Sequence, residues 1–316
     1  MRLKSALRRG VAAAVIAGIV VSSGIPAYAG IWNIAEGDII VKAGDTEGKN
    51  KVSQGETIDK DDTNTVITGE SDKNTVTIDT SEGNVDVTFD DLKIDVSGKK
   101  EGNGSDDSPV RESNAAVTVQ GDHDATIELD GKNELKSGSY NAGLEKDGHE
   151  PEGTLTIKDD KGKDGSLTAE GGDKGGAGIG GGYESGAGNI EITGGTVEAV
   201  GGEGAAGIGG GVYGPGRDIE ISGGKVSASG GSYSSPEEDP RPGAAGIGDG
   251  AYRASDDTDD PNPGKLYICG DAEVTAKAGS QMMTDAKVPA IGGTYGEVPT
   301  ESLSDADHKV TGGRLT

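Results

Sequence analysis

The sequence of 316 residues predicts an all-β fold, a single right-handed parallel β-helix with loop insertions on its outside. Three observations carry that prediction. First, Ile190-Glu-Ile-Thr-Gly-Gly-Thr-Val-Glu-Ala-Val-Gly-Gly202 returns as Ile219-Glu-Ile-Ser-Gly-Gly-Lys-Val-Ser-Ala-Ser-Gly-Gly231. Self-similarity at such a spacing marks a repeat architecture. Second, Ala177-Gly-Ile-Gly-Gly-Gly182 recurs at Ala206, at Ala245 and, shortened, at Ala290, with uneven intervals between copies. An unchanged core at variable spacing places the extra residues in outer loops. Third, 58 glycines, 31% hydrophobic residues and 3% aromatics suit only a narrow core of small and branched side chains. A disordered glycine-rich linker shares that composition, but it would not hold apolar residues in one phase across insertions.

The chain opens with Arg2, Lys4, Arg8 and Arg9, an apolar run from Val11 to Val21, and Ala27-Tyr-Ala29. A charged start, a short apolar middle and an A-x-A end describe a cleavable secretory signal over 1–29. The run is shorter than the ~20 residues that a spanning helix needs. The protein is therefore expected outside the cell, secreted or associated with the wall. The domain is expected over 30–316, with 30–60 as its amino-terminal cap, because terminal repeats depart from the consensus.

Alternating segments follow at Thr75–Ile78, Val85–Phe89, Leu92–Val96, Ala116–Val119 and Thr126–Leu129. Period-two spacing between Gly, Asp and Asn turns reads as strands. A polar insertion, Ser97 to Asn114, interrupts them. From residue 155 onward each unit reads as three short strands, I-x-I, V-x-A and G-I-G. Stacking should place Ile190 beneath Ile219, Ile192 beneath Ile221, Ile179 beneath Ile208, and Ala199 in line with Ala228. The glycines are expected to supply corners with positive φ. Ser232–Pro242 and Ser255–Pro263 read as outer insertions, and no helix of consequence is expected.

The charge balance narrows the function. With 29 basic and 55 acidic residues the net charge is −26, which disfavours binding to nucleic-acid phosphates. A single Cys excludes a disulfide scaffold and a cysteine-based zinc site. No Gly-Gly-Gly run is followed by Lys-Ser or Lys-Thr, so these are not phosphate loops. Asp256, Asp257, Asp259 and Asp260 form an oxygen-rich loop that could hold calcium; a solvated acidic loop is the competing reading. Asp160-Lys-Gly-Lys-Asp164 is a poorer candidate of the same kind. Tyr183, Tyr213, Tyr252 and Tyr295 each follow an Ala-Gly-Ile isoleucine by four or five residues. They should lie along one edge, where rings either stack on sugar faces or seal the corner beneath the outer loops.

The Ile-Glu-Ile-Thr-Gly-Gly-Thr-Val-Glu-Ala and Ala-Gly-Ile-Gly-Gly-Gly repeats resemble those of secreted surface proteins of Gram-positive bacteria with a carbohydrate-binding, right-handed β-helix domain. The resemblance implies a non-catalytic binding protein for extracellular polysaccharide. A polysaccharide lyase or hydrolase of the same fold, acting on acidic plant polysaccharide, is the alternative. Hydrolases of that fold carry Gly-His-Gly and Arg-x-Lys; here the nearest match is Gly148-His-Glu150, and the second motif is missing. A passive adhesin or spacer is the third reading. No membrane insertion is expected.

Overall fold

The computed structural model describes residues 30–98, 114–146, 153–162, 164–233, 243–251, 265–280, 290–292, 308–311 and 314–315. The described strands wind into a three-faced parallel β-helix. The first face carries Ala125–Asp130, Leu155–Lys158, Ile190–Ile192, Ile219–Ile221, Leu266–Cys269 and His308–Thr311. The second carries Lys132–Lys136, Ser166–Glu170, Thr196–Val200, Lys225–Ser229, Glu273–Lys277 and Arg314–Leu315. The third runs from Ile39–Ala43 through Val76–Asp79, Val117–Gln120 and Leu144–Lys146. It continues as the two-residue strands Ile179–Gly180, Ile208–Gly209, Ile247–Gly248 and Ile291–Gly292. Val85–Asp95 is one strand bent at Asp91 (φ 49°) and serves both the first and second faces.

Stacking in register turns the sequence repeats into columns. Ile190 pairs with Ile219 and Ile192 with Ile221. Ile179 pairs with Ile208, and Ala199 with Ala228. The first of these columns extends upstream through Leu155, Ala125 and Val85. The third-face column runs Ile39, Val76, Val117, Leu144, Ile179, Ile208, Ile247, Ile291. Alternate residues of a strand point to opposite faces, so I-x-I sends both isoleucines inward. Each full burial contributes about 1.5–3 kcal/mol. Alanine on the second face narrows the column there, and among the described residues the core's large aromatics are Phe89 and Trp32.

Glycine performs two separate tasks, only one of which matches the expectation of positive-φ corners. Between the first and second faces, Gly131, Gly195 and Gly224 have φ of 60°, 83° and 77°, the left-handed region that a Cβ disfavours. Between the second and third faces Gly175 and Gly204 also have positive φ, 101° and 69°, but Gly172, Gly202 and Gly231 do not. There a Cβ on Gly202 would overlap the Gly172 carbonyl oxygen, and one on Gly231 the Gly202 carbonyl. Within Ala177–Gly182 only Gly180 has positive φ (132°). Gly178 is needed because its missing Cβ would lie 2.5 Å from the Val200 amide nitrogen. Most of this signature therefore reports backbone packed on backbone.

The amino-terminal end is closed by an antiparallel hairpin that the sequence pattern did not reveal. Asn50–Gln54 pairs with Ile39–Ala43 on one side and Thr57–Asp62 on the other. Buried Asp62 accepts hydrogen bonds from Trp32 Nε1 at 2.7 Å and the Gly30 amide at 2.8 Å. This fixes the indole over the first coil. The outermost strand carries Asp59, Lys60 and Asp61, with Asp59 in the left-handed region (φ 48°). Charge and a local kink both discourage another chain from adding to that edge. A single 3-10 turn, Ile34–Glu36, is the one helical element among the described residues.

Two substitutions test the columns. Ile208 is fully buried between Ile179 and Ile247. Ile208→Asp places an unpaired charge there and should destabilise by about 4 kcal/mol or more, because such a charge has no partner. Chemical denaturation with unchanged midpoint would refute the inward column. Gly202→Ala should also lower the midpoint, although Ala is the better residue in most strands. The measured loss separates close packing from a φ requirement, since Gly202 has no positive φ to protect.

Candidate functional site

The residues most distinctive by position lie where the turns that lead into the third face, such as 138–142 and 171–175, dock against the turns that lead out of it, 182–185 and 211–214. Here the glycine columns remove side chains and let tyrosine rings settle over the backbone. Tyr183 follows Gly182, and its amide donates to the Tyr140 carbonyl at 2.7 Å. The Glu184 amide donates to the Val212 carbonyl at 2.8 Å, and the Tyr213 amide to the Ala251 carbonyl at 3.1 Å. Each ring-bearing turn is thus held by the neighbouring coil. Tyr140 and Tyr213 have φ of 73° and 65°, in the left-handed region that few residues other than glycine adopt.

The rings form a ladder. Tyr140 and Tyr183 meet with centroids 5.4 Å apart and planes at 88°. Tyr183 and Tyr213 meet at 5.8 Å and 89°. Edge-to-face contacts of this kind place a positive ring edge on a negative ring face and add about 0.5–1.5 kcal/mol beyond burial. All three rings are half-buried. A Cβ on Gly175 would lie 3.1 Å from Tyr183 Cδ2, and one on Gly204 2.8 Å from Tyr233 Cδ2. Those glycines clear the floor beneath the rings. Because successive planes are perpendicular, the ladder is stepped and does not form one flat platform.

Polar groups border the steps. The Lys174 ammonium lies 5.5 Å from the centroid of Tyr140. Ser139 donates to Asp173 Oδ1 at 2.5 Å, and Glu184 and Asp173 are exposed. The Glu203 amide donates to the Asp173 carbonyl at 3.3 Å, which stacks the acidic turn of one coil on the next.

Of the four tyrosines singled out in the sequence, Tyr183 and Tyr213 are brought together. Tyr252 and Tyr295 lie outside the described residues, as do Asp256, Asp257, Asp259 and Asp260, the candidate calcium loop. The same holds for residues 1–29, expected from the sequence to be a signal, and for most of the three polar insertions. Tyr140 and Tyr233 were missed because they precede the Ala-Gly-Ile signature. The signal that finds them is Gly138-Ser-Tyr140, repeated as Gly231-Ser-Tyr233.

The Asp160–Asp164 loop is organised by protein groups. Glu128, only 3% exposed, accepts the Asp160 and Lys161 amides at 2.9 and 2.6 Å. Asp159 accepts the Gly162 and Gly165 amides at 3.2 and 3.1 Å. Lys158 Nζ sits 2.9 Å from Asp160 and 3.9 Å from the second Glu128 oxygen. Backbone amides and the Lys158 ammonium hold these carboxylates, while the buried Glu128 Oε2 has no hydrogen-bond partner. Among the described residues no group of three or more His, Cys, Asp or Glu side chains is placed to hold a metal ion.

Other chemistry-bearing groups stand apart. His123 Nδ1 lies 2.9 Å from the Thr80 carbonyl oxygen and from the Asp122 carboxylate. Half-buried Cys269 donates to Glu220 Oε1 at 3.7 Å; burial, then the Glu220 charge, pushes its pKa up and keeps it a thiol. A shallow depression of about 720 Å³ near the amino-terminal end includes Glu70, Asp72, Lys93 and Asp95. A Lys93–Glu70 ion pair of 2.8 Å, exposed on both sides, crosses it. Such a pair contributes little.

Asp90 shows what the acidic composition costs locally. Half-buried at the bend of Val85–Asp95, it stacks on Asp130 in the parallel ladder. Burial first, then the charges of Asp130 and Asp91, pushes its pKa above the ordinary carboxylate value. A carboxyl whose pKa rises on folding favours the folded state below the unfolded pKa and loses that advantage as pH rises through the folded value. Asp90→Asn should therefore raise the melting temperature slightly at pH 7. The two proteins should converge below about pH 4, the ordinary Asp range. A variant less stable at pH 7 would contradict the assignment.

A family model described as a beta helix repeat matches residues 163–183, 190–212 and 219–251. No curated protein and no solved structure gives a match. The matched segments fall on three successive windings and contain the glycines Gly172, Gly202 and Gly231 together with Tyr183; Tyr213 lies just beyond the second segment. No helix among the described residues is long and apolar enough to cross a membrane.

Proposed function

We propose that the protein is secreted, possesses no catalytic activity, and binds extracellular polysaccharide along the tyrosine corner. The observation that carries this reading is the ladder of Tyr140, Tyr183 and Tyr213 in consecutive contact along the solenoid axis. A coil rises by about 4.8 Å, the spacing of paired strands. That is close to the length of one pyranose residue, so successive sugars can meet successive rings. Tyrosine suits the role because it offers an apolar body and a polar tip. The resemblance of the repeats to carbohydrate-binding surface proteins supports the same ligand class. Calcium held by Asp256, Asp257, Asp259 and Asp260 is part of the proposal, as a brace for the outer loop that follows Tyr252.

The passive adhesin or spacer is kept as a second reading because of one observation. The rings pack edge to face on one another and over Gly175, which also seals the corner. Affinity electrophoresis through gels of neutral, amino and acidic polysaccharides separates the two. Replacing Tyr140, Tyr183 and Tyr213 together by Ala should abolish retardation, while single replacements weaken it severalfold, because contacts along one polymer act multivalently. Phe at the same positions should retain most of the effect. Unretarded wild-type protein in every gel leaves the spacer, and shortened or unsaturated sugar products would establish the lyase or hydrolase. Parallel runs with calcium and with chelator test the brace: equal melting temperatures in both would remove calcium from the proposal.

A further inference from the structure

Resting on the secreted half of that reading, we infer that removal of residues 1–29 creates an amino terminus at Gly30 that Asp62 is built to bind, so that cleavage completes the amino-terminal cap. The Asp62 carboxylate carries the inference. Its Oδ1 accepts the Gly30 amide at 2.8 Å and the Asn64 amide at 3.2 Å, and its Oδ2 accepts Trp32 Nε1 at 2.7 Å. Those donors are neutral, yet Asp62 is only 1% exposed. Among the described residues no lysine, arginine or histidine forms an ion pair with it. Lys60, two positions earlier on the outer strand, has its ammonium over the Trp32 ring instead, 5.4 Å from the centroid. A charge taken out of water needs an opposite charge as well as hydrogen bonds, and here only the hydrogen bonds are in place.

Hydrolysis of the Ala29–Gly30 bond supplies that charge at a donor already positioned. A signal peptidase adds water across the bond. The Ala29 acyl carbon takes the hydroxyl, the Gly30 nitrogen takes the hydrogen, and the acid proton passes to the new amine, which is an ammonium at neutral pH. One of its N–H groups then meets Asp62 Oδ1 as a charge-assisted hydrogen bond, roughly twice as strong as the neutral one it replaces. Gly30 is half-buried, which leaves the other two N–H groups open to water.

The fit is specific to this bond. A Cβ on Gly30 would overlap Asp62 Oδ2 and Trp32 Nε1, so glycine alone can set its nitrogen there. Cleavage one residue earlier would move the ammonium by about 3.8 Å, the spacing of successive Cα atoms, and out of contact. Cleavage one residue later would remove the donor. The Gly30 carbonyl accepts the Val66 amide at 3.0 Å, and Ile31, Trp32 and Asn33 pair with Val66, Ile67 and Thr68. The new terminus is thus held on both sides of its α-carbon. An uncleaved chain keeps the hydrogen bond and lacks the charge, and the cap reaches its full stability only after export.

The intact mass of protein recovered from the medium should correspond to a chain that starts at Gly30; any other first residue overturns the inference. Trp32 is the sole tryptophan, so its fluorescence follows the unfolding of the cap itself. The secreted chain is unfolded, acetylated at about pH 6.5, where the α-amine reacts ahead of the lysines, and refolded beside an untreated sample. Acetylated Gly30 retains the amide N–H that meets Asp62 and loses the charge. The free-amine protein should melt about 2–4 °C higher by Trp32 fluorescence. Asp62→Asn should erase that difference, and Lys60→Gln should leave it. Equal midpoints for the two wild-type forms overturn the inference without requiring either variant to fold. So does a difference that survives Asp62→Asn or disappears in Lys60→Gln. A chain retained in the cell with residues 1–29 attached rejects secretion, whereas a secreted chain with equal midpoints rejects only the role given to Asp62.

Discussion

The parallel backbone ladder governs everything else in this molecule. Each coil donates to and accepts from the coils above and below, so a residue's nearest neighbour is its equivalent in the next repeat. Ile208 meets Ile179 and Ile247, and Gly209 meets Gly180 and Gly248. One position therefore decides a whole column, whether of isoleucine in the core, alanine on the second face or glycine at the corner. A chain with few large apolar residues can fold under that constraint because each is used twice, against the coil before and the coil after. The same constraint stacks like charges, as at Asp90 and Asp130, where composition works against the ladder.

The glycine content follows from the corner geometry. Where the turns into and out of the third face stack, successive backbones approach until a Cβ on Gly202, Gly211 or Gly231 would overlap a carbonyl oxygen of a neighbouring coil. Amides exchanged in that region, such as Gly202 to Gly176 at 2.8 Å and Gly231 to Ala205 at 2.8 Å, satisfy the exposed backbone. Glycine loses more conformational entropy on folding than other residues. Hydrogen bonds and close packing offset that loss only where the backbones truly touch, which restricts the long glycine runs to this corner.

How much was legible in the sequence depends on whether a strand's inward residues are apolar. The paired columns at Ile190, Ile192, Ile179 and Ala199 were legible because their identity survives the spacing between copies. Lys132–Lys136 was not, because one of its two inward positions is Asn133, which reads as a turn residue and leaves Leu135 as the only apolar one. The buried amide side chain there accepts the Leu92 amide at 2.9 Å and donates to the Asp130 and Ser166 carbonyls. Apolar periodicity cannot register a satisfied polar group. The hairpin of Asn50–Gln54 and Thr57–Asp62 was hidden for a related reason: its charged outer strand buries almost nothing but Asp62. The bend at Asp91 shows the converse error, since two alternating segments either side of acidic residues are one strand. At the candidate site, the alignment of Tyr183 with Tyr213 could be read from spacing. The stepped packing could not, because ring orientation depends on Gly175 clearing the floor and on Tyr140, whose signature lies ahead of the repeat.

The tyrosines and the glycines at this corner are two parts of one packing solution, and that bears on how a ligand would be held. A ring on an ordinary loop must give up rotamer freedom when a sugar stacks on it, and that loss is subtracted from affinity. Here Tyr183 is already fixed by Tyr140 on one side, Tyr213 on the other and the bare backbone of Gly175 beneath. The edge-to-face contacts that seal the corner are the same contacts that immobilise the rings. Stability and pre-organisation therefore come from a single arrangement, and the spacer and binding readings differ only in whether the outward half of each ring meets a ligand.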